Sequence, residues 1–103
     1  MGLLSITEQM YLTAILCIGK DAYGVKIREQ VMEFTGKPMV FGTLYNNLDQ
    51  LVRKGYVVIR KDQSHSDSKK VFYDVTDAGK EALNKSRVLQ ESLWATLPKK
   101  ALT

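Results

Sequence analysis

The polar side chains between positions 40 and 55 have types and a spacing that suit nucleic-acid recognition. On a helix their spacing places hydroxyl, amide and cationic groups on one side, and the set comprises Thr43, Asn46, Asn47, Gln50, Arg53 and Lys54. An Asn or Gln amide can pair with adenine through two hydrogen bonds in the major groove, and a Lys can reach guanine or a phosphate. This face is therefore a candidate for reading DNA, although an ordinary amphipathic helix with a solvated outer face has the same pattern.

The other side of this stretch is apolar and predicts the helix that presents the polar face. Leucine or valine recurs at the i, i+4, i+7 and i+8 positions of a single helical stripe, namely Leu44, Leu48, Leu51 and Val52. Gly42 and Thr43 fall in the first turn, where unpaired amides and the helix dipole can bind a phosphate. Gly55 ends the helix.

Two helices are predicted before this stretch. The first begins at a capping box formed by Ser5 and Glu8 and runs to about Ile18. From Met10 onward it is apolar almost all round, which indicates contact with a second subunit, and we expect Cys17 in this run to be a buried, inert thiol. The second helix covers about residues 22–35, with a stripe predicted to be buried that consists of Tyr23, Ile27, Val31 and Phe34.

A β-hairpin and a long last helix are predicted after position 55. Residues 56–61 and 71–76 are β-branched and aromatic, which favours strands, and the hairpin carries the cations Arg60, Lys61, Lys69 and Lys70. The single histidine, His65, has no neighbours at metal-ligand spacing, so we expect neither a metal site nor a cofactor. Thr76 caps the last helix, which runs to about Leu97 and is longer than the small domain can cover.

Composition bounds the class of protein. The 103 residues suffice for one modest domain, and 45% hydrophobic with 25% charged residues is typical of a globular protein. A net charge of +4 favours an anionic partner. No apolar run approaches the ~20 residues that span a bilayer, and the first residues lack a signal-peptide pattern. We therefore expect a location in the cytoplasm of a bacterial cell and no membrane partner. No catalytic triad, paired carboxylates or phosphate loop is present, so we expect no enzyme activity.

The predicted order of helix, helix, helix, hairpin and helix is that of a winged helix-turn-helix, an α+β fold that is mostly α. We expect residues 1–76 to form the DNA-binding domain and residues 77–103 the dimerisation helix with a short tail, in one compact unit. A winged-helix module that binds protein instead of DNA has the same order of elements, so it is the alternative function. The basic hairpin favours DNA.

Four segments make the sequence similar to a known family. YGVKI at 23–27, GTLYNNL at 42–48, LVRKGYV at 51–57 and YDVTDAGK at 73–80 resemble the signature segments of the PadR family of bacterial transcription regulators. The resemblance covers about residues 5–97, and the single last helix resembles the small-member subgroup.

This resemblance implies a repressor that binds a palindromic operator in double-stranded DNA as a homodimer. It implies that the third helix reads the major groove through Thr43, Asn46, Asn47 and Gln50, with Lys54 at the far end of this face. It also implies backbone or minor-groove contacts by the cations outside that helix, which are Lys26, Arg60, Lys69 and Lys70. Tyr45, at the edge of the apolar stripe, either packs under the helix or touches a phosphate.

The resemblance further implies how the two subunits meet. The last helix, with help from the partner's first helix, forms the dimer interface, for which the candidates are Met10, Leu89, Leu93, Trp94 and Leu97. Some small members bind planar aromatic compounds there through a tryptophan of the last helix. Trp94 lies in the matching helix, so it is the candidate effector-binding residue.

Overall fold

Three helices, a β-hairpin and a fourth helix follow one another in residues 3–61 and 70–103, which a computed structural model of the chain describes. The helices are α1 (Ile6–Ile18), α2 (Gly24–Thr35), α3 (Phe41–Arg53) and α4 (Asp77–Thr96). The hairpin consists of β1 (Val57–Lys61) and β2 (Val71–Val75), and short 3-10 turns cover Gly19–Asp21 and Lys99–Leu102. This order confirms the predicted winged helix-turn-helix and its mostly helical α+β class.

Local capping chemistry sets where the helices begin and end. At the start of α1, the Ser5 hydroxyl accepts from the Glu8 N–H at 3.1 Å while the Glu8 carboxylate accepts from the Ser5 N–H at 2.8 Å, which is the predicted capping box. Helix α2 ends at Gly36, whose left-handed φ of 70° suits a residue without Cβ. Thr76 caps α4 by accepting from the Gly79 N–H, and its hydroxyl also donates to the Gly55 carbonyl.

The start of α2 differs from the prediction because a strand reaches it. The Ala22 carbonyl accepts from the Tyr73 N–H of β2 at 2.8 Å. Tyr23 and Phe72 form an isolated antiparallel bridge. Residues 22 and 23 are therefore held by the hairpin, and α2 begins at Gly24 instead of Ala22. This isolated bridge at the edge of the two-stranded sheet ties the wing to the helical part of the domain.

The core lies under the apolar face of α3. Leu44, Leu48 and Leu51 are buried as predicted, and they pack in a cluster with Tyr11 and Ile27. Burial of each large apolar side chain contributes roughly 2 kcal/mol, so this cluster firmly seats α3 on α1 and α2. The predicted stripe of α2 is wrong at its end, because Phe34 lies beyond the edge of the core and is 44% exposed.

One side of α1 and most of α4 remain uncovered in the single chain. Cys17 is exposed, so the prediction of a buried thiol is wrong for this chain: the rest of the fold covers only the side of α1 that carries Tyr11 and Ile15. In α4, Leu93 is 59% and Trp94 is 66% exposed. Among residues 3–61 and 70–103, no helix combines the length and apolarity that crossing a membrane requires.

Candidate nucleic-acid interface

The polar face of α3 points outward, opposite the buried leucines. Thr43, Asn46 and Gln50 are all exposed there, at successive spacings of three and four positions along the helix. Because Leu44 and Leu48 fix the rotation of the helix about its axis, the hydroxyl and the two amides are presented on a rigid element. This is the arrangement that reading of base edges requires.

Asn47 belongs to the same polar set but is half-buried against α1. Its Nδ2 donates to the Tyr11 hydroxyl at 3.1 Å, and that hydroxyl lies 3.2 Å from the Met39 sulfur. Burial raises the pKa of Tyr11, while the hydrogen bond from Asn47 acts in the opposite direction. The Asn47 amide therefore helps to orient α3 on α1.

Lys54, at the far end of α3, is also engaged with α1. Its Nζ donates to the Glu8 carboxylate in an ion pair. Burial acts to raise the pKa of Glu8, but hydrogen bonds from Lys54 and the Ser5 backbone, together with the Lys54 charge, more than offset it and leave the pKa lowered. The same hydrogen bond raises the pKa of Lys54. The pairing of these two residues was not identifiable from spacing, because 46 positions separate them.

The start of α3 is open to solvent. Val40 occupies the N-cap position and makes no side-chain cap, so amides of the first turn are left for another acceptor. A Cβ placed at Gly42 would meet nothing within 4 Å. This end of the helix combines exposed amides with the Thr43 hydroxyl, a combination that suits a phosphate oxygen.

Aromatic and cationic side chains surround this end of α3. The Arg28 guanidinium lies 4.5 Å from the centre of the Phe41 ring, and Arg28 also donates to the Met39 carbonyl. The Tyr45 ring stacks on Phe41 with ring centres 6.3 Å apart. Sequence reasoning missed Arg28, because its partners lie across the turn between α2 and α3.

Tyr45 packs against the start of α2 and still keeps an exposed surface. Its hydroxyl is so close to Gly24 that a Cβ there would lie 2.5 Å from it. The side chain is therefore seated between α2 and α3 while 43% of the residue remains exposed. Tyr45 accordingly combines the packing role with surface exposure next to Thr43.

The cations predicted on the hairpin fall into different environments. Arg60 donates to Asp74 at 2.9 Å and to the Lys20 carbonyl at 2.7 Å, so it links both strands of the wing to the turn after α1. Lys70 lies 4.5 Å and Lys26 lies 5.6 Å from the centre of the Tyr23 ring. The structure thus brings one cation of α2 and one of the hairpin together around Tyr23.

Two of the residues singled out in the sequence, Lys69 and His65, lie outside the described residues. Within the described part of the chain, no group of three or more His, Cys, Asp or Glu side chains is placed to hold a metal ion. The groups of this candidate interface that can contact a ligand are amides, hydroxyls and cations.

Comparison with protein families decides the identity of this arrangement. The model of the transcriptional regulator PadR-like family matches residues 14–85, which include α2, α3 and both strands of the wing. The chain belongs to the PadR-like family of transcriptional regulators. Proteins of this PadR-like family are regulators of transcription, and the chain is not an enzyme. No curated protein sequence matches the chain significantly.

Solved structures of PadR-like and related regulators have the same fold. RosR of H. salinarum is 26% identical, with a TM-score of 0.74, and the match covers 95% of this chain and 84% of RosR. A complex structure of RosR is 28% identical over 91% of this chain and 79% of that chain, also with a TM-score of 0.74. A PadR family transcription regulator from Clostridium difficile shares 20% identity and a TM-score of 0.71 over 88% of this chain and 93% of that one. Since one of these organisms is archaeal, similarity alone does not assign the chain to bacteria.

Proposed function

We propose that this PadR-like protein is a repressor that binds a palindromic operator in double-stranded DNA as a homodimer. It acts in the cytoplasm of a prokaryotic cell, where the DNA is directly accessible. The observation that carries the proposal is the rigid, exposed polar face of α3, with Thr43, Asn46 and Gln50 opposite a fully buried leucine stripe. A helix of this kind fits the major groove.

The surrounding side chains support a division of labour across the interface. Thr43, Asn46 and Gln50 read base edges and the adjacent phosphates, because they are exposed on one face of α3. Lys26 and Lys70, gathered around Tyr23, bind the phosphate backbone beside that groove. Lys69, which precedes Lys70 in the sequence, is a further phosphate-binding cation in this proposal. Phosphate contacts of this kind position the protein, whereas base contacts specify the sequence.

Three further residues that the sequence predicted to contact DNA are bonded to other side chains of the same chain. These bonds indicate structural roles for the three residues. Asn47 bonds to Tyr11, Lys54 to Glu8, and Arg60 to Asp74. In our proposal Asn47 orients the reading helix and Arg60 holds the wing in place. Both act on DNA through the position of their neighbours, and any contact of their own is secondary.

The homodimer forms through α4 and α1. The outer surface of α4 exposes Leu89, Leu93, Trp94 and Leu97, which a second copy would cover together with Met10 of α1. Large exposed apolar surfaces of this kind mark interaction sites. A dimer formed there places its two α3 helices about one DNA turn, ~34 Å, apart.

A planar aromatic effector binds at the same interface in this proposal. Trp94 is 66% exposed in the single chain and offers a broad ring surface for stacking. An occupant between the two subunits would change how they pack and hence the spacing of the two α3 helices.

Selection from a randomised duplex library at moderate salt tests the proposal. A two-fold symmetric motif with half-sites about one turn apart is the expected result. Retention that is weak, salt-sensitive and independent of sequence would contradict it and would favour the alternative, a winged-helix module that binds protein.

A further inference from the structure

The far end of α3 is held by a carboxylate of α1. Glu8 Oε2 accepts from Lys54 Nζ, while Glu8 Oε1 accepts from the Ser5 N–H. The Glu8 side chain is only 18% exposed and the Lys54 side chain is 51% exposed. The carboxylate is therefore fixed by the helix cap, and the lysine comes to it from the surface.

This ion pair joins a reading helix to an element that takes no part in reading. Lys54 is the C-cap residue of α3 and follows Gln50, the last of the proposed base-reading residues, by four positions, which is ~6 Å along the helix. A cation beyond the last base-reading residue adds attraction for any phosphate but no information about sequence. Its effect on a repressor is therefore to strengthen binding to DNA outside the operator.

We propose that Glu8 is a specificity-determining residue, which holds Lys54 in an internal ion pair and so keeps it from binding phosphates of non-operator DNA. The inference rests on the proposed function. On the operator, base contacts by Thr43, Asn46 and Gln50 fix how α3 docks, and Lys54 remains paired with Glu8. On random DNA no base contact fixes the docking, so an unpaired Lys54 would stabilise whichever arrangement brings it to a phosphate.

The variant Glu8→Gln isolates this effect. Glutamine at this position of a capping box still accepts from the Ser5 N–H, so α1 keeps its start, while the charge that holds Lys54 is removed. We expect binding to a random duplex to tighten roughly 3- to 10-fold and its salt slope to steepen by about one, because one more phosphate contact forms. Affinity for the selected operator is expected to change less than two-fold, so the specificity ratio falls.

A charge-matched control separates this effect from a general change in electrostatics. Glu81 is also paired with a lysine, Lys85, but on α4. Glu81→Gln removes the same charge, so in our proposal it changes random-duplex affinity clearly less than Glu8→Gln does. Equal effects of the two variants would overturn the inference.

A double-mutant cycle with Lys54→Gln tests whether Lys54 is the responsible cation. Fluorescence anisotropy with labelled random and operator duplexes, over a series of salt concentrations, gives the affinities. Lys54→Gln is expected to have little effect in the parent chain and to abolish the whole gain in the Glu8→Gln chain. An equal loss in both backgrounds would show that Lys54 already binds phosphate, and it would overturn the inference. If the parent chain binds neither duplex, the proposed function fails as well, which is a distinct result.

Discussion

The amide of Asn47 on α3 donates to the hydroxyl of Tyr11 on α1, 3.1 Å away, across the interface that seats α3 on α1. Tyr11 is fully buried, and its hydroxyl also lies 3.2 Å from the Met39 sulfur in the turn before α3. One phenolic oxygen thus joins α1, α3 and the turn between α2 and α3. This junction fixes the position of the helix that we propose for reading DNA.

Removing the Tyr11 hydroxyl should loosen that junction. Tyr11→Phe keeps the ring but leaves the half-buried Asn47 amide without this acceptor, so we expect the free energy of unfolding to fall by roughly 1 to 2 kcal/mol. Urea denaturation measures the loss. Asn47→Ala in the same background should cost less than it does in the parent chain, because the bond is already gone. Additive effects of the two changes would show that the bond contributes nothing.

The proposed division of labour on DNA separates two kinds of variant. Gln50→Ala should relax sequence preference at one base pair and cost about 1 to 3 kcal/mol on the operator, because it removes a base contact. Lys26→Ala combined with Lys70→Ala should weaken operator and random duplexes alike and reduce the salt slope by about two. Competition binding over a salt series measures both. The same profile for the two variants would contradict the assignment.

The close approach of α4 to the start of β1 makes Gly79 sensitive to substitution. A Cβ at this position would lie 2.3 Å from the Tyr56 carbonyl oxygen and 2.8 Å from a Val75 methyl group. Because a backbone atom cannot move aside easily, Gly79→Ala should lower the free energy of unfolding by roughly 1 to 3 kcal/mol, as overpacking of a core does. Gly42→Ala is the control: open space surrounds it, so alanine should be neutral or stabilising by up to about 1 kcal/mol.

The Glu8–Lys54 pair should make stability depend on pH in acid. The pKa of Glu8 is lowered in the folded chain from 4.5, so its contribution is fully present above about pH 4.5 and is lost as the pH falls through the folded value. The parent chain should therefore be more stable than Glu8→Gln at neutral pH, and the difference should shrink below pH 4.5. Thermal unfolding of both chains at a series of pH values between about pH 3 and pH 7 measures the difference. This range includes the ordinary pKa of a glutamate, 4.5. A gap that persists at the lowest pH would refute this role of Glu8.

The exposed outer surface of α4 should control assembly. Leu93→Glu places a charge in the proposed interface, and we expect dimers to dissociate because a buried unpaired charge costs several kcal/mol. Analytical ultracentrifugation measures the change. Val58 on β1 has a similar exposure of 49%, so Val58→Glu is the matched control and should leave the assembly unchanged. Equal sedimentation of the parent chain and Leu93→Glu would contradict the interface.

The sequence by itself determined the type and order of the elements, because each depends on neighbours within a few positions. The leucine spacing of α3, the Ser5 and Glu8 capping box and the Thr76 cap all appear where local pattern placed them. The prediction of burial failed at Phe34 and Cys17. An apolar residue type indicates a preference for burial, but it does not indicate whether another element covers that side of the helix.

Only the tertiary structure decided which polar residues of α3 have partners within the chain. Asn47 and Lys54 have the same side-chain chemistry as a base or phosphate contact would need, yet Tyr11 and Glu8 occupy them from 36 and 46 positions away. The bridge between Tyr23 and Phe72 also joins residues that are far apart in the sequence. It shortens α2, and Lys26 and Lys70 meet at the Tyr23 ring. Such contacts depend on how whole elements pack together, and the spacing of residues within one element does not encode that packing.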